Sequence, residues 1–337
     1  MIIVLKPQIT KKEETAVLRE IRRRGYRPHI MRGVARTVIG AIGDEQTHQT
    51  LETLINWSQV ESVMPVQKRY KLVSREAHPT DSTVSVRGNV IGGKKFHVMA
   101  GPCSVESEEQ LMAVARAVKT AGATFLRGGA FKPRTSPYEF QGLGQKGLKL
   151  LAKARAETGL AVITELLSED HAELVAEYAD ILQIGTRNAQ NFQLLIAAAK
   201  TGKPILLKRG MSMRIEEWLL AGEYVLSNEN PNLLFCERGI RTFETYTRNT
   251  LDLSAIPIIK QESHCPVIID PSQGSGRADL VIAMCKGAVA MGADALLVEV
   301  HPDPAKAWSD GAQQLTPDLF ARLMTDIQPL LAAVGRE

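Results

Sequence analysis

The sequence predicts an α/β protein: a (β/α)8 TIM barrel preceded by a small α+β domain of ferredoxin-like (βαββαβ) order. Three observations predict it. From residue 97 onward a short apolar strand followed by a helix recurs roughly every 20 to 35 residues, which is the rhythm of a closed parallel barrel. Residues 1–70 follow a different rhythm, β-α-β-β-α-β. Nearly every barrel strand ends in a charged or reactive residue, as expected where an active site is built at the strand ends.

In the first region the strands read at 2–5, 27–31, 37–42 and 60–65, with helices at 11–24 and 47–57. Ala16, Val17, Leu18 and Ile21 give the first helix one apolar face. A polar stretch at 74–81 marks a linker, set at 71–88. A short hairpin, 84–96, turning at Gly92-Gly93, leads into the barrel, set at 89–337. The barrel strands read at 97–100, 124–128, 161–165, 181–185, 204–208, 233–237, 267–270 and 295–300, with helical patterns between them, for example 108–120 and 278–291. An open doubly wound sheet would need fewer strands and a glycine-rich first turn, which is absent here.

With 337 residues, 44% of them hydrophobic and 23% charged, the composition is that of a globular protein, and the net charge of +4 is too mild to indicate nucleic-acid binding. Cys103, Cys236, Cys265 and Cys285 show no paired spacing, which argues against a disulfide framework and for a reducing compartment. No apolar run reaches the roughly 18 residues of a membrane span, so the chain reads as cytoplasmic, with no membrane or nucleic-acid partner. Gly142-Leu143-Gly144-Gln145-Lys146-Gly147 fits G-x-G-x-x-G but follows a loop rather than a strand, and is set aside as a nucleotide site. His97, His171 and Trp218 read as structural.

The strand ends carry, in order, Cys103, Arg127, Glu165, Arg187, Lys208 with Arg209, Glu237 with Arg238, Asp270 and Glu299. Six cations converge on one mouth: Arg127, Lys132, Arg134, Arg187, Lys208 and Arg238. Arginine forks grip phosphate and carboxylate oxygens in pairs, and unpaired cations at this density repel, so anions belong between them. One phosphate needs fewer than six; two phosphorylated substrates, one also a carboxylate, would use them all. Cys103, Glu299 and Asp310 form a second constellation, a thiol and two carboxylates, which suits a divalent transition metal.

The segments that hold these residues are Ala100-Gly101-Pro102-Cys103-Ser104-Val105-Glu106-Ser107, Arg127-Gly128-Gly129-Ala130-Phe131-Lys132-Pro133-Arg134-Thr135-Ser136, Gln183-Ile184-Gly185-Thr186-Arg187-Asn188, Leu207-Lys208-Arg209-Gly210-Met211, Cys236-Glu237-Arg238-Gly239, Asp270-Pro271-Ser272 and Glu299-Val300-His301-Pro302-Asp303-Pro304. In this order, and over nearly the whole chain, they resemble the 3-deoxy-D-arabino-heptulosonate-7-phosphate (DAHP) synthases of the short microbial type with an N-terminal ferredoxin-like domain. The resemblance implies the first step of the shikimate pathway, condensation of phosphoenolpyruvate with erythrose 4-phosphate. It implies that Arg127, Lys132, Arg187, Lys208 and Arg238 hold phosphoenolpyruvate, with Asp270 in the substrate-binding set. Arg134, Thr135 and Ser136 would hold the phosphate of erythrose 4-phosphate.

Cys103, Lys132, Glu299 and Asp310 would then be the catalytic residues. Cys103, Gln273, Glu299 and Asp310 would be the ligands of a divalent ion (Mn2+, Fe2+, Zn2+ or Co2+). The resemblance further implies a tyrosine or phenylalanine effector on residues 1–70 and a homotetramer. The related 3-deoxy-octulosonate 8-phosphate synthases share the phosphoenolpyruvate half of the site, but Lys132-Pro133-Arg134-Thr135-Ser136 resembles the erythrose 4-phosphate version of the aldose loop. One departure stands out. Gln273 occupies the position of the family's histidine ligand, so reduced metal affinity and turnover are expected, and a catalytically weak effector-binding paralogue is the rival from another functional class.

Overall fold

The computed structural model describes residues 1–32, 36–43, 50–64 and 68–337. Contacts divide the chain into two compact units, Met1–Arg69 and Tyr70–Glu337. Among the described residues no helix is long and apolar enough to cross a membrane.

The first unit contains β1 (Ile2–Leu5), α1 (Lys11–Arg23), β2 (Arg27–Arg32), β3 (Thr37–Ile42) and β4 (Val60–Met64). Its sheet runs β2-β3-β1-β4, antiparallel throughout, with the two strands of the split βαβ units at its centre. α1 starts where it does because the Thr10 hydroxyl accepts from the Glu13 amide while Glu13 reaches back to the Thr10 amide, a reciprocal capping box. Val17, Leu18 and Ile21 are the buried stripe of that helix, packed with Ile3, Leu5, Ile39 and Val60. The second helix expected at 47–57 lies partly outside the described residues. Within them, Glu52–Asn56 forms a 3-10 helix rather than an α-helix. Leu51 and Leu54 are both buried, and a spacing of three satisfies a 3.0-residue turn as well as one face of an α-helix, so periodicity did not separate the two.

The second unit opens at Tyr70, and residues 71–82, expected as part of a linker, belong to it. Val73 and Ser74 are buried, and the amides of Leu72 and Val73 donate to the Glu223 carboxylate. The hairpin follows as β5 (Val84–Val86) and β6 (Asn89–Ile91). Its turn is Arg87-Gly88 and not Gly92-Gly93: Val86 pairs with Asn89, and both turn residues have positive φ, 48° and 80°. That is the backbone a two-residue turn between twisted strands requires. Arginine at its first position is not a turn signal, and the Gly-Gly pair nearby drew the expectation instead.

The barrel strands are β7 (His97–Gly101), β8 (Phe125–Arg127), β9 (Ala161–Leu166), β10 (Ile181–Ile184), β11 (Ile205–Lys208), β12 (Leu233–Glu237), β13 (Val267–Ile269) and β14 (Ala295–Glu299). They close into one parallel barrel, β14 pairing with β7. The helices between and after them are α2 (Glu108–Thr120), α3 (Gln145–Thr158), α4 (Ala172–Tyr178), α5 (Phe192–Lys200), α6 (Ile215–Leu226), α7 (Ala255–Glu262), α8 (Pro271–Ser275), α9 (Ala278–Ala290) and α10 (Pro317–Ala333). Alternate residues of each strand face the interior, where Met99, Phe125, Ile163, Leu206, Leu234, Ile268 and Leu297 form one cluster, and the others face the helices. Val84, Val86 and Ile91 of the hairpin join the interior cluster. His97, the first residue of β7, bonds through Nε2 to the Val90 carbonyl, so the hairpin lies at the end where the strands begin. Trp218 is wholly buried and donates to the Leu207 carbonyl; His171 stacks on Phe131.

Candidate active site

Where the strands end, the chain opens into a cavity of about 390 Å3 lined by eight basic side chains and three acidic ones. The six cations expected to converge are all present: Arg127, Lys132, Arg134, Arg187, Lys208 and Arg238 line this one cavity. Arg241 and Arg248 join them from the long loop after β12.

Four of the six are delivered at or just after a strand end, and Lys132 and Arg134 by the loop after β8. Arg127 and Lys208 are the last residues of β8 and β11, Arg238 follows β12, and Arg187 lies in a 3-10 turn after β10. Successive strand residues point to opposite sides, and the pair at the end of β11 shows the consequence. Lys208 faces the cavity, whereas Arg209 turns into the protein to bond Glu237 at 2.9 Å and Asp252 at 2.8 Å, over the ring of Trp218. Arg209 and Glu237 are therefore a buried structural pair, not part of the mouth. Backbone packing is equally tight. A Cβ on Gly185 would lie 1.8 Å from Glu165 Oε1, and one on Gly101 would lie 2.0 Å from the Arg127 carbonyl. Only glycine fits at Gly101, where the obstacle is backbone; at Gly185 a side chain would displace the Glu165 carboxylate from the site.

The cation side and the donor side share a floor. Arg127 Nη1 donates to Glu299 Oε1 at 2.7 Å and to the Pro102 carbonyl at 3.0 Å. Lys132 Nζ lies 3.1 Å from Cys103 Sγ. Cys103 Sγ donates to Asp310 Oδ2 at 3.4 Å, and Arg248 bonds Asp310 Oδ1 at 3.0 Å. One donor atom from each of Cys103, Glu299 and Asp310 lies within 4.8 Å of the others. Soft sulfur and hard carboxylate oxygens at that spacing fit a divalent transition ion.

Burial sets the charge states. It pushes the Cys103 thiol up to about 12, Glu299 adding to the rise and Lys132 opposing it. The free thiol is thus protonated near neutral pH, and a cation binding there displaces the proton. Burial opposes the charge of Arg127, but Glu299 and Cys103 beside it outweigh that and raise it. The same contest raises Lys132, through Cys103 and Glu165. For Asp310, burial is outweighed by Arg248 and Lys132, and its carboxyl is lowered.

Two buried polar atoms on cavity-lining residues, Arg127 Nε and the Thr186 hydroxyl, have no hydrogen-bond partner in the protein. Buried donors of this kind are met by an ordered water or a ligand, or are held under strain.

Other expected residues are placed as follows. Thr135 lines the cavity beside Arg134, which pairs with Glu139 at 3.0 Å, and Thr135 Oγ1 accepts from Arg187 at 3.4 Å. Ser136 is not in the lining; its hydroxyl accepts from the Tyr138 amide in the loop turn. Asp270 is not in the lining either. Its carboxylate caps α8 at the Gln273 amide and pairs with Lys208, so it lies behind the lysine and holds it. Gln273 lines the cavity, but its Oε1 accepts from Arg238 at 3.0 Å and its Nε2 donates to Glu299 Oε1 at 3.1 Å. Sequence reasoning gave no role to Arg241, Arg248 or Gln313. Gln313 Nε2 bonds Glu299 Oε2 at 2.7 Å. No spacing signal marks these residues, since they reach the site from loops far along the chain. Glu165, noted only as a charged strand end, also lines the cavity.

Comparison with known proteins agrees with this architecture. Residues 74–332 match the DAHP synthetase I family and residues 1–68 match the DAHP synthase ferredoxin-like domain. The phospho-2-dehydro-3-deoxyheptonate aldolase of Thermotoga maritima is 50% identical over 335 residues, 99% of each chain. The crystal structure of that organism's DAHP synthase superposes with a TM-score of 0.96 over 100% of this chain and 98% of the other. A 2-dehydro-3-deoxyphosphooctonate aldolase from Caulobacter vibrioides is 32% identical over 269 residues, covering 74% of this chain and 91% of the relative. With both units matched and the cation-lined mouth in place, the chain belongs to the DAHP synthetase I family.

Proposed function

We propose that this chain is a DAHP synthase, a transferase that condenses phosphoenolpyruvate with erythrose 4-phosphate and releases phosphate, at the entry to the shikimate pathway. The observation that carries the reading is the mouth itself. Eight basic side chains surround one cavity, with Arg127 Nε still lacking an acceptor, which is a site for more than one anion.

Arg127, Lys132, Arg187, Lys208 and Arg238 hold the phosphate and carboxylate of phosphoenolpyruvate, and Arg134 and Thr135 hold the aldose phosphate. Asp270 contributes by fixing Lys208. Cys103, Glu299 and Asp310 would hold a divalent ion (Mn2+, Fe2+, Zn2+ or Co2+), which supplies Lewis-acid polarisation of an aldehyde oxygen when bound. C3 of phosphoenolpyruvate bonds to the aldehyde carbon, water adds at C2, and the C–O bond to phosphate breaks. The cations act by holding two mutually repelling anions in reacting geometry and by stabilising charge on the departing phosphate.

Phosphate release from phosphoenolpyruvate, with erythrose 4-phosphate or arabinose 5-phosphate and with or without Mn2+, tests the reading. Release with erythrose 4-phosphate alone is expected. Release with arabinose 5-phosphate instead would make the chain an octulosonate synthase, and none in any arm would leave only a binding protein.

Residues 1–70 are proposed as a regulatory domain for tyrosine or phenylalanine on a homotetrameric, cytoplasmic enzyme. A chain beginning at Tyr70 tests this, because residues 70–82 belong to the second unit. Retained activity with lost inhibition by both amino acids supports regulation; equal inhibition of both chains refutes it.

A further inference from the structure

Gln273 has neighbours that leave its carboxamide a single orientation. Arg238 Nη2 donates to Oε1, and Nε2 donates to Glu299 Oε1. A guanidinium offers only donors and an ionised carboxylate only acceptors. Turning the amide over would set its NH2 against Arg238 and its oxygen against Glu299, losing both charge-assisted bonds.

The backbone beneath is fixed as well. The Gln273 amide donates to Asp270 Oδ1 at 2.9 Å, and its carbonyl accepts from Asn249 Nδ2 at 3.1 Å. The one side-chain atom of Gln273 able to ligate a cation therefore points at a cation already, and the atom beside Glu299 is an NH2, which has no lone pair to offer. Glu299 keeps room for an ion. Its Oε1 takes Arg127 and Gln273, and its Oε2 takes Gln313. A carboxylate has about four lone-pair sites, so one remains.

We propose that Gln273 is a positioning residue and not a metal ligand: its amide is a strut between Arg238 of the anion pocket and Glu299 of the Cys103–Glu299–Asp310 cluster. A divalent ion is then held by three protein donors, with a coordination position open beside residue 273. Anion and cation binding are linked through this one side chain, because an anion that draws on Arg238 weakens the polarisation of the amide donating to Glu299. The inference rests on the substrate and metal reading given above.

The test is a Co2+ titration of metal-free, full-length protein, followed by the near-ultraviolet thiolate-to-Co2+ absorption and the visible d–d bands. In Gln273→Leu, Arg127 and Gln313 still orient Glu299. The thiolate band is expected to persist and the d–d bands to stay in place, because the ligand set is unchanged, while affinity falls by no more than the roughly 10- to 100-fold that follows removal of an outer-shell partner of a ligand. Gln273→His adds an imidazole at the open position and is expected to tighten Co2+ binding and shift the d–d bands. A leucine variant whose d–d bands shift, reporting a changed ligand set, makes Gln273 a ligand and overturns the proposal. A histidine variant unchanged in affinity and spectrum overturns the open position.

Saturating phosphoenolpyruvate is expected to tighten Co2+ binding in the parent, within the roughly 5- to 150-fold span of ordinary coupling, and by a smaller factor in the leucine variant. Equal factors in both overturn the link. If calorimetry shows no phosphoenolpyruvate binding to the parent, the substrate reading fails, while the Co2+ arms still decide between strut and ligand. Gln273→Ala replaces the leucine variant if circular dichroism shows the latter unfolded.

Discussion

The same eight strands begin in one kind of chemistry and end in another. Where they begin, Val84, Val86 and Ile91 of the hairpin pack against Met99, Phe125, Ile163 and Leu234, and the ring nitrogens of His97 bond Thr124 and Val90. Everything named there buries apolar surface or pairs a polar atom. Where the strands end, basic side chains crowd a cavity, Arg127 Nε and the Thr186 hydroxyl lack partners, and a thiol lies against a lysine. The contrast separates two tasks. The closed end holds the barrel together, and the open end keeps charges and unpaired donors that cost stability until ligands arrive.

That division can be broken by substitution at either end. The largest effect is expected from Arg127→Ala, which strips the floor of the mouth and leaves Glu299 without its strongest partner. Losing one side of a buried charged pair costs about 3–5 kcal/mol of stability, and losing a preorganised donor to a reacting anion costs roughly a hundred- to a thousandfold in rate, so kcat/KM for phosphate release should fall by about that factor. A loss below about tenfold would mean that the cation side is not where the anions sit. Next comes Cys103→Ala, expected to lower turnover by at least the roughly 10- to 100-fold that loss of an outer-shell partner alone costs and to abolish its dependence on added Mn2+. Full Mn2+-dependent turnover in this variant would remove the thiol from the site.

At the closed end, Ile91→Ala should cost about 2–3 kcal/mol of unfolding free energy in urea, with kcat/KM unchanged. A comparable fall in kcat/KM would show that the two ends are not separable. The smallest effect is a slope with pH. Burial lowers the pKa of His97 from its ordinary 6.5, the Val90 carbonyl opposing. Below 6.5 the unfolded chain binds a proton that the folded chain refuses. Stability from this residue is full above 6.5 and falls as the pH drops, until the folded value is passed. His97→Gln should flatten the urea-midpoint slope between pH 7 and pH 5; an unchanged slope assigns it elsewhere.

Much of this was legible in advance because it depends on local period. Short apolar strands alternating with amphipathic helices read as a barrel whatever packs beside them, and several of the charged residues at or just after the strand ends fall at its mouth. The same logic failed at the hairpin, where Arg87 adopts φ 48° without being a turn-forming residue, and at 47–57, where two leucines three apart suit either of two helices. It misjudged Asp270, since a carboxylate at a strand end looks alike whether it meets substrate or a neighbouring lysine.

By itself, then, the order of residues determined the eight-strand alternation, the set of cations at the strand ends, and the thiol and carboxylates available to a metal. Only closure of the barrel decided that Lys208 enters the cavity while Arg209 does not, that Arg248 arrives from a loop to hold Asp310, and that Gln273 gives its oxygen to Arg238. The reason is separation along the chain. Cys103 and Asp310 are 207 residues apart and meet only once β14 has paired with β7, and Arg238 and Gln273, 35 apart, meet only once β12 has paired with β13.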